Sequence, residues 1–177
     1  SVEWTVLDTE ATRVLLLAND VLDVKPYCSS TYIKTTWAES SLRKYLNDVL
    51  YKEVFSDEER EKIESVKLDN ENKEKELDID GAGDKVFCLS VEEAEKYFQN
   101  DSERKAKATD YAKSKVGEDA LTYFIYEKTG TARWWLRSQG TDSGTAATIG
   151  GAGWINYEGI YVNNLSVGVR PALWMKC

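Results

Sequence analysis

The sequence contains no histidine. That one absence removes Ser-His-Asp and Cys-His catalysis, histidine-ligated zinc, and the side chain that usually shuttles protons near pH 7. There are only three cysteines, Cys28, Cys88 and Cys177. Their wide spacing matches no zinc or redox motif, and either three separate thiols or one disulfide with a free thiol would fit. No run of about 18 apolar residues is present, so no segment is expected to span or insert into a membrane. The longest apolar stretch, Val14 to Ala18, has the length of a strand. Positive charge is also scarce: 23 Lys and Arg stand against 31 Asp and Glu, a net charge of −8. Nothing would offset the repulsion of phosphates, which argues against nucleic acid and anionic membranes as partners. No signal peptide is visible, and the start at Ser1 is read as that of an excised domain or a mature fragment whose targeting signal would lie outside the sequence.

The chain of 177 residues, 42% hydrophobic and 31% charged, has the length and balance of one globular domain. Two β-rich runs, Trp4 to Leu7 and Arg13 to Ala18, flank a polar stretch and predict an N-terminal hairpin. Val21 to Val24 extends the sheet and Pro26 ends it. Leu42, Tyr45, Leu46, Val49 and Leu50 fall at i, i+3, i+4, i+7 and i+8, one apolar face of a helix. Thr36, Glu39 and Ser40 are candidate start signals for it. Two capping boxes, Ser56 with Glu59 and Ser90 with Glu93, each predict a further short helix. In the second, Ala94, Tyr97 and Phe98 form one face. Thr109 to Lys115 predicts another helix with Tyr111 and Ala112 turned inward, and Val86 to Leu89 a buried strand.

Leu68 to Asp84 is strongly polar. Its acids and glycines from Asp78 to Asp84 suggest a calcium loop, but the order is wrong: counting from Asp78, position 5 is Ala82 and position 12 is Leu89. A turn is the better reading, and no metal or cofactor is expected.

The last third changes character. Between Thr129 and Gly168 there are eight glycines, charge is sparse, and Trp134, Trp135, Trp154, Tyr157 and Tyr161 are interleaved with Ser, Thr and Asn. Short strands are expected at Ala132 to Arg137, Ala146 to Ile149, Trp154 to Asn156 and Val169 to Lys176. The order is strands, helices, strands, an α+β pattern in which the terminal strands pair antiparallel and bring the chain ends together.

Two segments carry a resemblance: Arg133-Trp134-Trp135-Leu136-Arg137-Ser138-Gln139-Gly140 and Gly168-Val169-Arg170-Pro171-Ala172-Leu173-Trp174. They resemble a family of uncharacterised bacterial domains with a WWLRSPG…GVRPAL pattern, from which Gln139 departs where the family has Pro. Trp4 to Leu7, Val21 to Asp23, Leu42 to Asn47 and Asp84 to Ser90 add to the match, which spans nearly the whole chain. The C-terminal pattern is also similar to C-type-lectin-fold proteins, namely the variable proteins of diversity-generating retroelements and sulfatase-modifying-factor-like domains. The resemblance implies a C-type-lectin-like fold that displays side chains just before its final strand and binds a partner with them, without implying a chemistry.

The site candidates follow from residue type. Trp134 and Trp135, adjacent in a strand, point to opposite faces, so one is core and the other is either exposed or packed under helices. Arg137 and Arg170 suit either a carboxylate clamp or the anchoring of buried acids and carbonyls. The region from Ser138 to Ser166 combines aromatics with adaptable amides, the composition of binding surfaces. Its candidate ligand-binding residues are Asp142, Trp154, Asn156, Tyr157, Tyr161, Asn163 and Asn164. The alternative is that these aromatics fill a small core of their own. No catalytic pair stands out. The expected function is extracellular or cell-surface recognition of a glycan or protein without catalysis. The alternatives are a structural spacer or assembly domain and, behind it, a hydrolase or thiol enzyme.

Overall fold

A computed structural model describes residues 2–30, 35–68 and 83–177. β1 (Trp4–Thr9) and β2 (Arg13–Ala18) form the expected hairpin, with Leu7 as an extra residue in the ladder between Val6 and Asp8. β2 alternates as a strand with one buried face should: Leu15 and Leu17 are buried, Val14 and Leu16 only partly. β3 (Asp23–Val24) follows.

The predicted helix starts as α1 (Ser41–Tyr45), with the Ser40 side chain accepting from the Arg43 N–H as N-cap. It widens into a π-helical turn, Leu46–Leu50, and closes with α2 (Tyr51–Val54). The Tyr51 N–H reaches back to the Leu46 carbonyl, so this turn holds more than 3.6 residues. That shifts the phase of the apolar face. Leu42, Leu46 and Leu50 are buried, whereas Val49, expected inward, is exposed. Both capping boxes form, opening α3 (Asp57–Lys62) and α4 (Val91–Tyr97). After α5 (Asp101–Arg104) comes α6 (Asp110–Ser114), capped by Thr109. It buries Ala112 but leaves Tyr111 exposed, because neighbours on a helix point about 100° apart. α7 (Glu118–Phe124) completes the middle of the chain.

The C-terminal third is β-rich: β4 (Ile125–Tyr126), β5 (Thr131–Ala132), β6 (Trp134–Gln139), β7 (Thr145–Ile149), β8 (Ile155–Tyr161), β9 (Gly168–Val169) and β10 (Ala172–Lys176). Among the described residues three sheets result, with orders β1-β2-β10, β3-β9-β6-β7-β8 and β4-β5. The architecture is α+β, as expected. The terminal strands do share a sheet, but they flank β2 rather than pair with each other. Each is antiparallel to β2, so they run parallel. Trp4 lies across from Ala18 and Lys176 across from Arg13, which places the chain ends at opposite ends of the sheet. At a strand rise of about 3.3 Å per residue Trp4 and Lys176 are offset by about 17 Å along the strand direction, a correction to the expected close termini.

Val86 to Leu89 is buried, yet it forms one bridge, Phe87 to Ala172, instead of a strand. Its role is to join the two large sheets: Phe87 exchanges hydrogen bonds with Ala172 of β10, and the Leu89 carbonyl accepts from the Arg137 N–H of β6. Both Trp134 and Trp135 are fully buried, which settles the open alternative. β6 is covered on both faces. The Trp134 indole donates to the Arg104 carbonyl at 3.2 Å, and the Trp135 indole donates to the Lys25 carbonyl at 2.9 Å. The Val66–Asp84 bridge ties the two ends of the polar excursion together. The calcium-like run is described only from Gly83 onward, and residues 78–82 lie outside the described part.

Candidate functional site

β8 is an edge strand, the last in the five-stranded sheet. The hairpin that leads into it is held firmly. The Gly153 carbonyl accepts from Arg104 Nε at 2.8 Å, and Arg104 is also paired with Asp101. Gly153 has φ +94°, and a Cβ there would lie 1.8 Å from the Asp101 carbonyl oxygen, so only glycine allows the loop to press on α5. Trp154 follows, its ring against Gly150 and 49% exposed. Along β8 the register runs from Thr148–Asn156 to Ala146–Ile160, so residues 157–159 bulge opposite Ala147. The Asn156 amide spans the bulge, donating to the Gly159 carbonyl and accepting from the Gly159 N–H. Gly159 fits with φ +86°. Such bulges re-aim side chains and blunt an edge against unwanted pairing. Here the bulge turns Tyr157 outward, 54% exposed, with its hydroxyl donating to Glu95 Oε1 of α4 at 2.7 Å. That hydrogen bond, ahead of burial, raises the Tyr157 pKa above the ordinary phenol value. Tyr161, opposite Thr145, is 72% exposed, and Leu165 beyond it is 70% exposed.

The seven sequence candidates therefore divide. Trp154, Tyr157, Tyr161 and Asn163 face solvent. The other three serve turns. Asp142 Oδ1 accepts from the Gly144 N–H at 2.8 Å, Asn156 caps the bulge, and Asn164 Oδ1 accepts from both the Ser166 N–H and hydroxyl at 2.8 Å. Short amide and carboxylate side chains close turns on their own backbone, and glycine-rich hairpins need such closures. Tyr157 reaches α4 through Glu95, and Trp154 follows directly on the turn seated on α5. Tyr161 stands at the other end of the strand from Trp154, about 13 Å away measured over four residues of β7, with the Tyr157 bulge between them. Glu95 was missed by sequence reasoning, since it reaches Tyr157 from 62 positions away with no local signal.

The buried charges hold the fold. Arg137 grips Glu93 through both terminal nitrogens, at 2.5 and 3.0 Å, and also donates to the Cys88 carbonyl. Arg170 donates to the Ala18 and Arg104 carbonyls and lies 4.9 Å from the Trp134 ring centre. Burial pushes its pKa down to about 10. Both arginines are anchors. Asp84, the last acid of the calcium-like run, accepts from Trp37, Arg43 and Asn47. Asp23 accepts from the Tyr45 hydroxyl at 2.5 Å. Burial pushes the Cys88 thiol up to about 12, the wrong direction for a nucleophile. All three cysteines are free. A cavity of about 390 Å³ is lined by Arg13, Glu93, Arg137 and Trp174 together with residues 65–68, and both of those arginines already carry carboxylate partners. No helix among the described residues is long and apolar enough to cross a membrane.

The family model for the Domain of unknown function (DUF6273) matches residues 11–177. No curated protein and no solved structure matches the chain.

Proposed function

We propose that this chain, which belongs to the DUF6273 family, is a recognition module that binds a glycan or protein partner through the outward face of β8 and performs no catalysis. One observation carries the reading: three large rings, Trp154, Tyr157 and Tyr161, stand exposed along one blunted edge strand on a firmly held hairpin. A rigid aromatic orders at little entropic cost and presents much contact area, which is why binding surfaces favour it. The buried ionisable groups support the same reading, because Asp23, Asp84, Arg104, Arg137 and Arg170 are each engaged by structural partners. A C-type-lectin-like domain displaying side chains ahead of its last strand agrees with β8 and the loop after it preceding β10. The module would act outside the cell or on its surface, and the net charge of −8 disfavours nucleic acid.

The test is a glycan and protein array probed with the purified domain, followed by Trp154→Ala, Tyr157→Ala and Tyr161→Ala against any ligand found. At least one substitution should weaken binding by about 2 kcal/mol or more with an unchanged melting temperature. Large destabilisation by all three, with no ligand affected, would show the rings to be core and would leave a spacer role as the explanation.

A further inference from the structure

The exposed rings do not sit in neutral surroundings. The Glu95 carboxylate touches the Tyr157 hydroxyl. Asp101, whose side chain is 60% exposed, lies under the Gly153 turn next to Trp154. Glu158 is exposed in the bulge beside Tyr157, and Glu92 is exposed on α4, one turn before Glu95. Among the cations of α4 and α5, Arg104 is buried and already holds the Gly153 carbonyl and Asp101, and Lys96 is paired with Asp8. The surface thus pairs electron-rich ring faces with carboxylates on a chain of net charge −8. Aromatic faces attract ammonium and guanidinium groups, Trp most strongly, and adjacent carboxylates add to that attraction.

We infer that the Trp154–Tyr157 surface takes a positively charged partner, a lysine- or arginine-rich segment of another protein. The inference rests on the recognition reading above and narrows it. A basic side chain would lie over the Trp154 or Tyr157 ring while the Glu95 and Glu158 carboxylates neutralise it. An anionic glycan would meet repulsion at the same place. Isolated exposed ion pairs contribute little, so the attraction depends on several carboxylates acting beside the rings.

The probes are fluorescein-labelled octalysine and octaglutamate, read by anisotropy in low salt and again in about 0.5 M salt, where surface charge is screened. Octalysine should bind and octaglutamate should not, and the binding should fall in high salt. The double variant Glu95→Gln/Glu158→Gln and the single variant Trp154→Ala should each weaken octalysine binding by about tenfold. Glu58→Gln/Glu61→Gln on α3, beside the other large sheet, should change it by less than about twofold. Thermal melts of every variant report that the fold is kept. Equal loss from the α3 pair would mean diffuse attraction to net charge and would overturn the inference, as would no octalysine binding at all. A neutral glycan that needs Trp154 but ignores Glu95→Gln/Glu158→Gln would overturn it too, while leaving the recognition reading intact. A ligand indifferent to all three rings would remove that reading itself.

Discussion

Leu46 is fully buried at the entrance of the π-helical turn, in contact with the main core. Truncation removes its transfer free energy and leaves a cavity, so Leu46→Ala should cost about 2–5 kcal/mol in denaturant melts. A loss below about 1 kcal/mol would mean the site collapses around the smaller side chain. One residue earlier, Tyr45 donates its hydroxyl to the buried Asp23 carboxylate. Burial first, and the hydrogen bond to Asp23 second, raise its pKa well above the ordinary value of 10.0. The folded state therefore holds this proton more tightly than the unfolded chain does. The stability it contributes is complete below about pH 10 and is lost as pH rises beyond that. Tyr45→Phe should lower stability at neutral pH and flatten the decline above pH 10, as read from urea melts across alkaline pH. An unchanged alkaline slope in the variant would assign the decline to other phenols and lysines.

At the scale of elements, the β7–β8 hairpin and its seat on α5 are the clearest case of backbone geometry dictating residue type. Gly153→Ala would place a Cβ 1.8 Å from the Asp101 carbonyl oxygen at φ +94°. Gly117 at the start of α7 has φ −62° and open space where a Cβ would go. Gly153→Ala should cost more than about 2 kcal/mol, since the hairpin must move off α5, while Gly117→Ala should stay within about 0.5 kcal/mol. Comparable melting temperatures for the two variants would show that the hairpin is not seated on α5. The loss at Gly153 should also weaken any ligand held by Trp154, which the same hairpin positions.

At the scale of the molecule, the N-terminal hairpin depends on the far end of the chain. β10 completes the β1-β2-β10 sheet, bridges Phe87 and Ile63, and supplies the Trp174 carbonyl to the Glu64 N–H. These pairings link the first, middle and last thirds of the sequence. Deleting residues 172–177 should therefore abolish cooperative unfolding of the whole chain, not merely loosen one edge, as followed by circular dichroism and tryptophan fluorescence in urea. A truncated chain that kept a sharp transition would make β10 an accessory strand. Loop-closure cost before such long-range pairs form predicts slower folding than a helical bundle of this size.

What the sequence determined by itself was local. Side-chain oxygens of Ser40, Ser56, Ser90 and Thr109 start helices because a cap needs only the next three residues. The hairpin at β1–β2 and the α+β order were legible for the same reason, through alternation and turn chemistry within a few positions, whereas the sequence left open whether Trp154, Tyr157 and Tyr161 are exposed or core. Periodicity misplaced Val49, because a π-helical turn is stabilised by packing and leaves no mark in the pattern. It also placed Tyr111 inward beside Ala112, where packing chose one of two neighbours. Only the tertiary structure decided that Trp135 is covered as fully as Trp134, that Arg137 and Arg170 are anchors, and that β1 and β10 flank β2 in parallel. It alone brought Glu95 to Tyr157 and assigned Asp142, Asn156 and Asn164 to turns instead of a surface. The physical reason is common to all of these: the partner of each group lies tens of residues away, or its hydrogen-bonding capacity is consumed by backbone whose conformation is fixed by packing elsewhere.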